Sequence, residues 1–365
     1  MLFPYTYVPH QIERMHRFIN FTFYQVWCRA PKAGPYSLSL FDANPPLKEV
    51  MESFAYSHRK QGDLFSSRIQ AIYEDFAKLP RAEIVQFKRW YQSNNDIEQA
   101  CGNGAGSSLA RYAEIEVDHP ELSGLLKSFF KNLYSADLLG LKGLREKIGD
   151  IDDHYHAFME VNNTGKCPFC GISDMLGVFH KKKREAYDHY LPKALYPFNT
   201  INFRNLAPAC HHCNSNYKTT KDPAFVPKDP ARGLNRRKAF YPYATAGHTI
   251  EIAIDFSTPD VDRLTPADIQ FAFGPATVHE EIETWREVYS IDERYKAKCC
   301  SGDAKDWLEQ VRIMRDTHGI DPAAWLASVQ QQAEKSLVAN SNFLKKAFLE
   351  SCEKAGIFDA ISEVT

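Results

Sequence analysis

Cys167-Pro168-Phe169-Cys170-Gly171 and Cys210-His211-His212-Cys213 are two Cys-x-x-Cys pairs with 39 residues between them. Each two-residue gap lets the chain fold around one side of an ion, and two such pairs supply four soft thiolates, the donor set of a closed tetrahedral zinc site. Pro168 and Gly171 favour the tight turn of a knuckle. A thioredoxin-like redox centre needs a single pair in a strand-helix setting. A zinc deaminase needs His-x-Glu and Pro-Cys-x-x-Cys; His119-Pro120-Glu121 lies far upstream, and Ala209 separates Pro208 from Cys210. Zinc held by Cys167, Cys170, Cys210 and Cys213 is therefore the expectation, with His211 or His212 as the alternative fourth ligand.

Outward from this stretch the chain changes character. Residues 1–165 carry helical periodicity, as in Gln11–Trp27 (Ile12, Met15, Ile19, Phe23, Val26), Leu64–Phe76 and Leu122–Tyr134. Gly102-Asn103-Gly104-Ala105-Gly106 has neither a preceding apolar strand nor a following Lys-Ser/Thr, so it predicts a surface loop. After the cysteine-rich segment, Ile250, Ile252, Ile254 and Phe256 alternate as in a strand, and from Pro259 the pattern predicts helices, including Asp306–Arg315 and Asn340–Glu353. The expected fold class is α+β: a helical lobe (1–165), a small zinc-braced module (166–225) and a strand-then-helix lobe (226–365).

Composition sets limits. Of the 365 residues 44% are apolar and 25% charged, values of a globular chain, and the net charge of −2 excludes a uniformly basic surface. Nothing in the sequence is long and apolar enough to span a membrane. Met1-Leu2-Phe3-Pro4-Tyr5 lacks the layout of a secretory signal, so the cytosol is the expected compartment. Nine cysteines in a reducing compartment point to metal ligands rather than cross-links; Cys28 and Cys352 read as packed core, and Cys101, Cys299 and Cys300 have no telling spacing. Basic residues cluster locally. Lys181, Lys182, Lys183 and Arg184 open one group, and Lys228, Arg232, Arg236, Arg237 and Lys238 form a second. Residues 252–365 hold 20 acidic against 12 basic residues, an unfavourable place for phosphate to land.

Between and after the cysteine pairs stand Tyr187-Asp188-His189-Tyr190-Leu191-Pro192-Lys193 and Arg204-Asn205-Leu206-Ala207-Pro208-Ala209-Cys210, running on to Cys213-Asn214-Ser215-Asn216-Tyr217-Lys218. This order resembles the HNH (His-Asn-His) endonuclease family, in the branch where a four-cysteine treble-clef zinc site braces a ββα-metal fold. The likeness covers roughly 55 residues. It implies His189 as general base, Asp188 and Asn214 as ligands of a catalytic Mg2+ or Mn2+, Asn205 as the residue orienting the loop that carries the base, and Lys218 as a further site residue. The family's lysine commonly stands four residues after the last cysteine and Lys218 stands five after Cys213, which leaves Asn216 as an alternative ligand. The chemistry suits these residue types. Histidine titrates near neutrality and can deprotonate water, and hard divalent ions take carboxylate and amide oxygens. Asp188 and His189 are adjacent, so a regular strand would send their side chains to opposite faces; a bend at the strand end, where Pro192 marks the stop, is expected to bring both to the site.

The resemblance further implies a nucleic-acid partner, DNA ahead of RNA, with Lys181, Lys182, Lys183, Arg184, Arg236 and Arg237 contacting phosphates. It also implies a place among prokaryotic restriction or phage-defence nucleases, often beside an ATPase. The alternative is a non-catalytic zinc module that docks nucleic acid or a partner protein.

Overall fold

The computed structural model describes residues 1–55, 60–227 and 235–360; Lys228 and Arg232 lie outside them. The chain is α+β, with long helices around two small antiparallel hairpins. In the N-terminal part, α1 (Arg14–Phe21) continues through a wider turn, Thr22–Val26, and is followed by α2 (Pro45–Ala55), α3 (Lys60–Phe76), α4 (Arg81–Asn95), α5 (Pro120–Leu133) and α6 (Ile151–Val161). The periodicity explains α5. Leu122, Leu126, Phe129, Phe130 and Leu133 recur on one face and are buried, and Pro120 stands in the first turn, where its missing N–H costs nothing. Gly102–Gly106 lies in turns, as its composition predicted.

Strands β1 (Ala186–His189) and β2 (Leu206–Ala209) pair antiparallel, with Asp188 opposite Ala207 and His189 opposite Leu206. A wide helical turn, His212–Lys218, follows β2. The predicted strand after residue 249 is β3 (Glu251–Phe256). It pairs with β4 (Ile269–Gly274), which the sequence reading had assigned to helix: Ile269, Phe271 and Phe273 alternate with polar or small residues, and the run is too short to show a helical period. The longer helices after β4 are α7 (His279–Tyr289), α8 (Ile291–Cys299), α9 (Gly302–His318), α10 (Pro322–Lys335) and α11 (Asn342–Lys354), with a short one, Ile357–Ala360, after them.

Buried apolar residues from all three stretches form one continuous cluster. Phe198, from the loop between β1 and β2, sits among Phe23, Tyr91 and Phe130 of the helical lobe, at ring separations of 5.5, 5.2 and 5.3 Å. Its φ of +80° is unusual for a non-glycine residue, so packing rather than intrinsic preference holds it there. The 165/166 boundary falls in the loop after α6, and 225/226 falls beside an isolated bridge between Phe225 and Arg236. Among the described residues, no helix is long and apolar enough to cross a membrane.

Candidate metal centre and catalytic site

The first cysteine pair lies in a tight loop closed by Gly171 N–H donating to Cys167 O (2.7 Å) and Cys167 N–H donating to Ser173 O (2.9 Å). Gly171 takes φ +72°, a conformation that favours glycine. In the second pair, Cys210 follows β2 and Cys213 sits on the wide turn. All four thiols are buried and free of disulfides, and their sulfurs lie within 4.8 Å of one another. Zinc–sulfur bonds of about 2.3 Å in a tetrahedron place sulfurs roughly 3.8 Å apart, so small adjustments would close this cluster on an ion. The Cys170 and Cys210 sulfurs, at 4.0 Å, are nearly there. The cluster could hold zinc. His211 and His212 are exposed, and no histidine belongs to the cluster.

Sequence reasoning missed the second layer. Arg294 of α8, 6% exposed, donates from Nη1 to Cys213 Sγ (3.1 Å), with its guanidinium 4.6 Å from the Tyr217 ring centroid. Trp285 Nε1 donates to Phe169 O (2.6 Å) and Tyr295 Oη to Cys170 O (2.9 Å). These residues lie more than 70 positions beyond the second cysteine pair, and no local spacing marks them. Together they tie the C-terminal helices to the knuckle and set one positive charge beside the four cysteine sulfurs.

Asp188 and His189 have different partners. Asp188 is buried, and its Oδ1 accepts from Lys218 Nζ (2.9 Å), which also donates to His189 O (2.8 Å). Asp188 Oδ2 has no hydrogen-bond partner. Burial pushes the carboxyl up from its ordinary value, against the opposing pull of Lys218. His189, 9% exposed, meets Thr200 O at 3.1 Å through Nε2, and its ring packs edge-on against Tyr134 (4.9 Å, 88°). Burial, then Lys193 and Lys218, push its pKa well down, which keeps the imidazole neutral near pH 7. Asn205 is fully buried and clamps the strand exit: Oδ1 accepts from Leu191 N–H (2.7 Å) and Nδ2 donates to Leu191 O (3.0 Å).

The Asn214 side chain is half-buried and makes no hydrogen bond among the described residues, whereas exposed Asn216 is engaged with His212 Nδ1 (3.3 Å). An orphaned carboxylate oxygen and an unpartnered amide are donors that fit a hard divalent ion. The turn bearing Asn214 and Lys218 packs on β1.

The basic groups divide. Lys181, Lys182 and Lys183 are exposed and, with Arg184, line a surface cavity of about 330 Å³ that reaches Ala186 at the start of β1. Arg184 Nε donates to Asp152 Oδ1 (2.6 Å). Arg236 and Arg237 are committed inside the fold. Arg236 Nη2 donates to Ala100 O (2.7 Å), and buried Arg237 pairs with Glu287 Oε2 (2.7 Å).

Over 74 residues the chain is 32% identical to Septu protein PtuB of Bacillus thuringiensis, a match covering 20% of this chain and 27% of that protein. The chain thus spans about a quarter of this curated relative. No protein-family model matches the chain. No solved structure matches it either.

Proposed function

We propose that the protein is a metal-dependent endonuclease of the HNH type, hydrolysing phosphodiester bonds in nucleic acid, DNA ahead of RNA. The observation that carries this reading is a buried, neutral histidine at the end of a short strand, held by a backbone carbonyl and flanked by an unsatisfied carboxylate, beside a four-cysteine cluster. With Nε2–H donating to Thr200 O, Nδ1 keeps its lone pair and can take a proton from water. Asn205 fixes the chain leaving β1 and thereby the position of His189. Lys218, with no exposed surface, acts on Asp188 and the His189 carbonyl rather than on substrate. Asp188 and Asn214 would hold the divalent ion, which when bound supplies positive charge to the phosphate and the leaving oxygen. Zinc in the cysteine cluster would be structural. Lys181, Lys182, Lys183 and Arg184 contact phosphates, and Arg236 and Arg237, spent internally, do not. The likeness to Septu protein PtuB supports a role in prokaryotic phage defence, and an ATPase is the companion such a nuclease would work beside.

Purified protein incubated with DNA and RNA, with and without magnesium or manganese, tests the reading. Cleavage should require the metal, and His189→Ala should reduce it by about 10²–10⁴-fold with zinc content unchanged. Wild-type rates in His189→Ala would remove the proposal. A non-catalytic binding module is the second reading, favoured by one observation: Tyr134 covers His189, leaving it 9% exposed. Binding without metal-dependent cleavage would establish it.

A further inference from the structure

Lys193 follows Leu191-Pro192 at the exit of β1. Its ammonium lies 5.7 Å from the Tyr134 ring centroid, the same ring that packs on His189, and its hydrogen bond is a long one to Lys131 O (3.5 Å). Among the described residues it has no carboxylate partner. Other shielded cations do: Lys218 faces Asp188, Arg111 faces Glu114, Arg184 faces Asp152 and Arg286 faces Asp292. The residue whose carbonyl it meets is itself a lysine. Lys131, at the end of α5, is exposed and likewise unpaired, and burial together with Lys131 pushes the Lys193 ammonium below its ordinary value. A half-shielded ammonium without a counter-charge is relieved by a bound anion, and the unpaired Lys131 ammonium adds attraction for one.

The surroundings indicate which anion. Arg184 lines the cavity shared with Lys181, Lys182 and Lys183, and it also lines a second cavity of about 230 Å³ whose wall includes Tyr134. Basic or aromatic groups therefore follow one another from Lys181 through Arg184 and Tyr134 to Lys193, ending beside His189; the acidic Asp150 and Asp152 in the same walls are each paired, with Arg145 and Arg184. A polyanion with regularly spaced charges fits such a line better than a single small anion does.

We propose that Lys193 and Lys131 receive a substrate phosphate next to His189, so that a nucleic-acid strand runs from Lys181 past Tyr134 and the N-terminal helical lobe completes the site. The proposal rests on the nucleic-acid reading above and adds the residues that seat the strand. The compact ammonium groups act as point charges on phosphate oxygens, and Tyr134 is a face across which the strand passes.

The test uses the full chain carrying His189→Ala, so that a DNA oligonucleotide survives binding, titrated across a range of salt concentrations. Lys193→Gln and, separately, exposed Lys131→Gln should each flatten the dependence of log Kd on log salt by about 0.7–0.9. Lys193→Arg should keep most of it, zinc content should be unchanged, and the melting temperature of the Gln variants should be no lower than that of the parent. In the active protein, Lys193→Gln should raise KM or lower kcat, while Lys142→Gln, elsewhere on the same lobe, should do neither. If the protein cleaves DNA but neither slope nor kinetics respond to Lys193 and Lys131, the strand path is wrong and the nuclease stands. If the slope responds and no variant or wild type cleaves, the path stands and the nuclease falls. Absence of any binding overturns both. Should Lys193→Gln fail to fold, Lys131→Gln decides.

Discussion

Lys218 shows how much one side chain can bind together. Its ammonium is wholly buried, donates to Asp188 Oδ1 and His189 O, and thereby joins the wide turn after the second cysteine pair to the last two residues of β1. A lysine survives such burial when its charge is paired, and removal of one partner leaves the other uncompensated. Lys218→Met should therefore destabilise the fold by about 3–5 kcal/mol, read from denaturant unfolding of zinc-saturated protein. Adding Asp188→Asn to that variant should recover part of the loss, because the stranded carboxylate disappears. A loss within about 1 kcal/mol, the range of exposed pairs, would mean that the contact does not hold the strand end. The same residue shows what spacing can and cannot reveal. The motif brought Lys218 into the site, but its full burial, and so its work as a strut, depends on helices packed over it from elsewhere.

At the scale of elements, what could be read from sequence depended on how local the determining interactions are. The two cysteine pairs and the Asp188-His189 run are short-range patterns, and the structure collects the four sulfurs as the spacing predicted. The helices α3 and α5 were visible in their periodicity. By contrast, β4 escaped because an alternation of only six residues is too short to distinguish strand from helix. Arg294, Trp285 and Tyr134 escaped because they reach the site across the fold, from helices or helix ends that carry no local motif. Arg294 is the sharpest case. Its hydrogen bond to Cys213 Sγ makes α8 a second-layer support of the cysteine cluster. Such supports typically contribute 10–100-fold to metal affinity, so Arg294→Ala should release zinc to a competing chelator at correspondingly lower chelator concentration. Arg294→Lys should restore only part, since an ammonium cannot both reach the sulfur and stack on Tyr217 in the manner of a planar guanidinium. Zinc retention equal to wild type in Arg294→Ala would show the contact to be incidental.

At the scale of the molecule, the cysteine knuckle is the junction of three stretches of sequence. Leu2 N–H donates to Pro168 O (2.9 Å), and a Cβ added at Gly171 would come within 2.2 Å of Leu2 Cδ1 and 2.8 Å of Phe343 Cε1, so the N-terminal segment and α11 meet over the first cysteine pair. Phe198 carries the β1–β2 loop into the aromatic core of the helical lobe, and the same loop supplies Thr200 O to His189. Structural zinc contributes about 10–16 kcal/mol of apparent binding free energy, whereas a folded domain is stable by only about 5–15 kcal/mol in total. If the knuckle were an isolated module, stripping the metal would melt it and leave the helices intact. Because its walls are shared, removal of zinc should instead lower the helical signal well beyond residues 166–225 and shift the main thermal transition downward. Circular dichroism at 222 nm and thermal scans, before and after incubation with a strong chelator and again after zinc is returned, measure this. An unchanged helical signal and midpoint in protein shown by elemental analysis to have lost its zinc would mean that the helical lobes stand alone, and that the contacts of Leu2, Phe198 and Phe343 join finished domains rather than build one core.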